Sequence, residues 1–213
     1  MRNALNLFGD LLWPRNCRYC GRDTDLAEAE ICQKCWSSLV PALWIEKPKN
    51  IDNLWIAFSY DDRLRTIIHH YKFGHVTSIA QPLAQRMVKK FRDNGLVPES
   101  GYLVPVPDHP SRRRERGFNP AGLLAEFASE EWGIQYRPEL AIRILAGPHQ
   151  SMLPDEVRKT KLAGSFNFAI CDDPERRLFL FDDVIHTGTT IKRLASSARK
   201  SGWKHIDAIC LCV

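Results

Sequence analysis

Apolar and polar positions along this chain alternate between two periods. The run Leu54-Trp55-Ile56-Ala57-Phe58-Ser59-Tyr60 is apolar and aromatic, and it predicts a strand. From Asp61 to Lys72 the apolar residues Leu64, Ile67, Ile68 and Tyr71 fall at helical spacing. A second helix is predicted from about Ser78 to Asn94, and Tyr102-Leu103-Val104-Pro105-Val106 reads as a strand. Asn119 suits an N-cap and Pro120 a first helical position, so a helix opens there and runs to about Trp132. Phe166 to Ile170 and Leu178 to Phe181 are short strands, Thr189 to Ser201 is a helix, and His205 to Val213 is a final strand. Strands alternating with helices predict a mostly parallel sheet covered on both faces, an α/β fold. Such sheets bind ligands beyond the carboxyl ends of their strands. The loops after Val106 and Phe181 therefore carry the functional interest.

Ahead of Leu54 the stretch Glu46-Lys47-Pro48-Lys49-Asn50 is polar and turn-rich. It divides the chain into an N-terminal unit over residues 1–44, a linker over 45–53 and a main domain over 54–213. Within the first unit, Leu5 to Trp13 reads as one short amphipathic helix. Asn6, Gly9 and Asp10 interrupt it, making it too short and too polar for a signal peptide or a membrane span. The expectation is a cytoplasmic protein without membrane insertion.

Charge adds a direction. The 213 residues carry a formal net charge of +5, which suits an anionic partner such as a phosphorylated metabolite or a nucleic acid. A solvated basic surface accounts for it equally well. Four of the seven cysteines form two close pairs, Cys17-x-x-Cys20 and Cys32-x-x-Cys35. Two such pairs are how zinc ribbons assemble a tetrahedral thiolate site, with iron the runner-up. Four ligands leave no open coordination position, so the role read here is structural. Arg15, Arg18, Tyr19, Arg22 and Trp36 flank the pairs and suit either nucleic-acid contact or plain solubility. Cys210 and Cys212 read as buried apolar residues, and His69, His70 and His75 as surface or core histidines.

The most informative stretch is Leu178-Phe179-Leu180-Phe181-Asp182-Asp183-Val184-Ile185-His186-Thr187-Gly188-Thr189-Thr190. An apolar strand ends in two carboxylates, and small and hydroxyl residues around a glycine then lead into a helix. Backbone N–H groups at such a turn, with the helix dipole, favour an anion. Asp182 and Asp183 would repel bare phosphate but suit sugar hydroxyls, or a Mg²⁺ held through them. The second stretch, Val104-Pro105-Val106-Pro107-Asp108-His109-Pro110-Ser111-Arg112-Arg113-Arg114-Glu115-Arg116-Gly117-Phe118-Asn119, follows a strand with a basic loop. Arginine matches phosphate oxygens bidentately, so this loop fits a pyrophosphate or a DNA backbone.

The first stretch resembles the phosphoribosyl-pyrophosphate motif of type I phosphoribosyltransferases, and the fold then expected is of that Rossmann-like type. The resemblance implies that Asp182 and Asp183 contact the ribose hydroxyls, and that His186, Thr187, Gly188, Thr189 and Thr190 cradle the 5′-phosphate. His186 stands where that family usually has Thr. The second stretch resembles the competence protein F family within the same superfamily. So do Tyr60-Asp61-Asp62-Arg63-Leu64-Arg65, Tyr71-Lys72-Phe73-Gly74, the block Gln150, Leu153, Arg158, Gly164 and Phe166, and the cysteine pairs. This likeness implies a pyrophosphate loop of Asp108, His109, Pro110 and Ser111. It also implies a mobile catalytic flap with Arg114, Arg116, Gly117, Phe118 and Asn119. Pro120 and Lys161 replace the family's usual Gln and Asn. The implied activity is pentosyl transfer from 5-phosphoribosyl pyrophosphate with Mg²⁺, beside a structural Zn²⁺. Asp182, Asp183, Arg114 and Arg116 would be the catalytic residues. The implied setting is the handling of incoming single-stranded DNA with partner proteins of the competence machinery. An alternative is a retired transferase fold that binds DNA through Arg112–Arg116 and basic helical positions such as Lys89, Lys90, Lys192 and Arg193. A nucleotide-metabolism transferase is a further alternative.

Overall fold

The computed structural model describes residues 16–24, 30–43, 45–144 and 166–213. The predicted helix at Leu5–Trp13, Arg15, and the block Gln150, Leu153, Arg158, Lys161 and Gly164 lie outside the described residues. A short helix α1 (Gln33–Ser37) is followed by β1 (Leu54–Phe58), α2 (Asp62–Phe73), α3 (Ala80–Asp93) and β2 (Tyr102–Pro105). Next come α4 (Pro110–Arg116), α5 (Pro120–Trp132), β3 (Gln135–Tyr136) and β4 (Ala141–Arg143). The chain closes with β5 (Phe166–Phe168), β6 (Arg177–Val184), α6 (Thr189–Lys200) and β7 (His205–Cys212).

Five strands form one sheet in the order β1-β7-β6-β2-β3, with every neighbouring pair parallel. Alternation along β6 splits the core into two layers. Phe179 and Phe181 join the cluster built on α2, α3 and α5, and Leu178 and Leu180 join the cluster built on α6. β2 and β6 lie side by side, yet the chain leaves β2 toward β3 and leaves β6 toward β7. Neighbouring strands whose connections depart in opposite directions open a crevice at their carboxyl ends. The two loops singled out in the sequence both emerge there.

The predicted helices α2, α3, α5 and α6 are present, each for a local reason. Asp61 accepts from Leu64 N at 2.8 Å and caps α2. α3 starts at Ala80 after a 3₁₀ turn over Thr77–Ile79, which leaves Pro82 in its first turn, where a missing N–H costs little. Four local expectations are corrected. The basic segment is not a loop but a helix, because Pro110 supplies a helical first residue and the His109 ring accepts from Ser111 N. Asn119 begins α5 but makes no side-chain cap; its amide donates instead to Val106 O at 3.0 Å, tying α5 to the end of β2. The strand at Phe166 stands outside the main sheet, antiparallel to β4, and the hydroxyls of Ser197 on α6 and of Ser201 just after it hold its carbonyls. β6 runs on to Val184, so the two acids lie within the strand rather than after it.

The polar stretch over residues 45–53 is fastened at its end to the main sheet. Asp52 accepts from Ile206 N at 2.8 Å and from the Arg199 guanidinium at 2.6 Å, and Asn53 donates twice to Asp207. The cysteine segment packs on the α2–α3 side, with Cys17, Cys32, Cys35 and Trp36 in the same cluster as Leu64 and Met87. The Arg86 guanidinium lies 4.3 Å from the centre of the Trp36 ring.

Candidate functional site

A cleft of about 300 Å³ opens at the carboxyl ends of β2 and β6. Asp108, Asp182, Asp183, Arg116, His186 and Thr190, all named from sequence, line it together. Lys72, Arg112, Arg143, Asn119 and Pro120 line it too. Lys72 and Arg143 were not among the site residues read from sequence. Each belongs to an element distant along the chain, and no local motif marks its direction. Arg114 lines a neighbouring cavity on the other side of α4 rather than this cleft. His109 and Ser111 are exposed at the start of α4, where the His109 ring meets the Ser111 hydroxyl at 2.7 Å.

The strand period places the acids. Asp183 shares the parity of Phe179 and Phe181, so it faces α2 and meets the Lys72 ammonium at 2.7 Å. Asp182 has the opposite parity; one of its oxygens accepts from Asp183 N at 3.0 Å, and it is coupled electrostatically to Arg143. Burial, and next the like charge on Asp183, push the Asp182 carboxyl up to about 8, against the opposing pull of Lys72 and Arg143. Arg143 in turn donates to Pro107 O, which anchors it over the loop that follows β2.

The loop after β6 turns at Gly188, which sits in the left-handed region at φ 65° and caps α6. A Cβ there would come within 2.6 Å of Pro48 Cγ, so glycine is required by conformation and by space. The Thr187 and Thr189 hydroxyls meet at 2.9 Å beside it. The His186 ring is exposed and meets Tyr60 edge-on at 5.8 Å. Across the cleft, Arg116 is held 3.7 Å from Asp108, with its guanidinium 4.6 Å from the centre of the Phe73 ring. Thr190 and three arginines thus line one cleft with the paired acids, while Thr187, Gly188 and Thr189 are not among its lining residues; the mixture suits a sugar carrying phosphates.

The carboxylates were also read as suited to a Mg²⁺ ion. Among the described residues, the only group of three or more Cys, His, Asp or Glu whose ligand atoms converge is the cysteine set. Asp108 faces Arg116 and Asp183 faces Lys72, so each of these two acids is already paired with a cation of the protein.

The cysteine set does fit a metal. The sulfurs of Cys17, Cys20, Cys32 and Cys35 all lie within 4.8 Å of one another, and Cys20 and Cys32 are 3.8 Å apart. A tetrahedral ion with thiolate bonds of about 2.3 Å needs sulfurs about 3.8 Å apart. The first pair is shaped by Gly21 at φ 70°, whose N–H donates to Cys17 O, and the second pair by the start of α1. Burial opposes ionisation of Cys17, yet N–H groups of Cys20, Cys32 and Tyr19 outweigh it and bring the thiol down to about 6. Cys210 and Cys212 are buried core residues, as expected. His69 is exposed against the Phe73 ring and His75 is exposed after α2. No helix among the described residues is long and apolar enough to cross a membrane.

No protein-family model matches the chain. Curated proteins do, along nearly its whole length. It is 28% identical over 206 residues to the DNA utilization protein YhgH of Escherichia coli, covering 92% of this chain and 89% of that protein. It is 27% identical over 198 residues to competence protein F of Haemophilus influenzae, covering 90% and 81%. It is 23% identical over 218 residues to competence protein ComFC of Streptococcus pneumoniae, covering 96% and 92%.

Proposed function

We propose that this chain, a member of the competence protein F family by its whole-length similarity, binds 5-phosphoribosyl pyrophosphate in the β2–β6 cleft and transfers its pentosyl group. One observation carries the reading. Asp182 and Asp183 at the end of β6, His186 and Thr190 beyond them, and the arginines Arg112, Arg116 and Arg143 all line one cleft. In this reading the 5′-phosphate takes the N–H groups and hydroxyls of Thr187 to Thr190, and the ribose hydroxyls take Asp182 and Asp183. The pyrophosphate lies toward Asp108 and the arginines Arg112, Arg116 and Arg143. A nucleophile bonds to ribose C1 as the C1–oxygen bond to pyrophosphate breaks, and the departing group carries away the bonding pair. Arginines aimed at that group stabilise its growing charge. Magnesium, where it accompanies the ligand, would add to the neutralisation of the pyrophosphate charge. Cys17, Cys20, Cys32 and Cys35 would hold zinc in a closed structural site.

Calorimetric titration with phosphoribosyl pyrophosphate in the presence of magnesium tests the reading. Binding by the wild type that is lost in Asp182→Ala with Asp183→Ala supports it, and absence of binding by a folded, zinc-loaded wild type contradicts it.

The setting we propose is competence or DNA utilization, after the names of the relatives. A second reading, contact with single-stranded DNA and through it with competence proteins, is favoured by Arg112, Arg113 and Arg114, all exposed on α4. Oligonucleotide affinity should then fall steeply as salt rises, and a flat salt profile would exclude backbone contact.

A further inference from the structure

The cleft already contains a cation of its own. Lys72 is the penultimate residue of α2, and its side chain is only 16% exposed beside Asp183 at 11%. Its neighbour Tyr71 is buried, with its hydroxyl donating to Pro120 O at 2.8 Å, which fixes the last turn of α2 against the start of α5. That anchor sends Lys72 into the cleft, where its ammonium reaches Asp183 Oδ2 at 2.7 Å. The backbone of Asp183 is fixed, since it lies in β6 beside β7 and its carbonyl accepts from Cys212 Sγ. An ammonium has three donors, so one spent on Asp183 leaves two for a ligand. A divalent ion held by the same carboxylate would have to displace this contact.

We infer that Lys72 is the resident cation of the cleft. It neutralises Asp183 from within the protein and donates to the ligand's oxygens. A phosphoribosyl-pyrophosphate-type anion is therefore held without a divalent metal, and the metal strengthens binding rather than being required for it. The inference rests on the phosphate reading above. A lysine serving only to stabilise the fold would leave the metal dependence of binding unchanged.

The test is calorimetric titration of the zinc-loaded full chain with phosphoribosyl pyrophosphate and with inorganic pyrophosphate, in magnesium-free buffer and with magnesium. Wild type, Lys72→Met and Lys72→Arg are compared, and urea unfolding verifies that each is folded. The wild type should bind in magnesium-free buffer within about tenfold of its affinity with magnesium. Lys72→Met should lose about tenfold or more in magnesium-free buffer, the loss of one charge-assisted contact, and much less with magnesium. Lys72→Arg keeps the charge and should retain most of the metal-free binding. Wild-type binding that appears only with magnesium overturns the inference and leaves the phosphate reading standing. So does a Lys72→Met variant that binds as tightly as wild type without magnesium. Loss of wild-type binding under both conditions removes the phosphate reading, and this inference with it.

Discussion

The four thiols of the knuckle all come from the segment Cys17–Cys35, whereas the cleft gathers Lys72 from α2, Arg112 and Arg116 from α4, Arg143 from β4 and the two acids from β6. The knuckle brings like groups together for an ion that binds them all. The cleft brings opposite charges together and leaves them partly matched: one Asp108 oxygen and Arg116 Nε are buried without a hydrogen-bond partner. Buried, imperfectly satisfied polar groups cost stability and are tolerated where a ligand completes them. The contrast separates a site whose ligand serves folding from a site whose folding serves a ligand.

Breaking the knuckle should have the largest effect on the fold. Cys32→Ser removes a buried ligand, so metal content should fall. The melting temperature should drop by roughly 6–12 °C, corresponding to a loss of about 3 kcal/mol or more. Phosphoribosyl pyrophosphate binding at low temperature should change far less, which calorimetry can verify. Gly188→Ala strikes the other region. Its left-handed φ alone costs about 1–2 kcal/mol, and its Cβ meets Pro48, so ligand affinity should fall more sharply than the urea midpoint. Tyr71→Phe leaves Pro120 O without its donor and should cost about 1 kcal/mol in urea unfolding.

A further effect is one of pH. A carboxylate in an unfolded chain titrates near 4, and Asp182 in the fold is raised to about 8. Between those values the folded chain binds the extra proton. The stability contribution of Asp182 is therefore complete below about 4 and lost as pH rises through 8. Asp182→Asn should have the higher urea midpoint at pH 8, with the gap narrowing as the pH is lowered toward 5. A gap that widens on acidification would contradict the assignment.

The same contrast explains what the sequence could reveal. The cysteine pairs, the acid pair and the Gly188 turn are contiguous motifs, and the patterning predicted β1, β2, β6 and β7 of the main sheet and helices α2, α3, α5 and α6. The pairing of Lys72 with Asp183 depends on which face of β6 meets α2, and the place of Arg143 depends on a small antiparallel sheet whose three-residue strands carry almost no pattern. The basic segment read as a loop because its helix buries no apolar side chain, which left no helical stripe to detect. The anchors of the stretch over residues 45–53, Ile206, Asp207 and Arg199, lie at the far end of the chain, so its sequence gives no sign of them.

The central claim is that the β2–β6 crevice is a phosphoribosyl site, and a crystal structure of the zinc-loaded protein with phosphoribosyl pyrophosphate tests it most directly. The account predicts the 5′-phosphate against Thr187–Thr190, the ribose hydroxyls on Asp182 and Asp183, and the pyrophosphate among Arg112, Arg116 and Arg143. Ligand bound elsewhere on the chain, with this crevice empty, would contradict it.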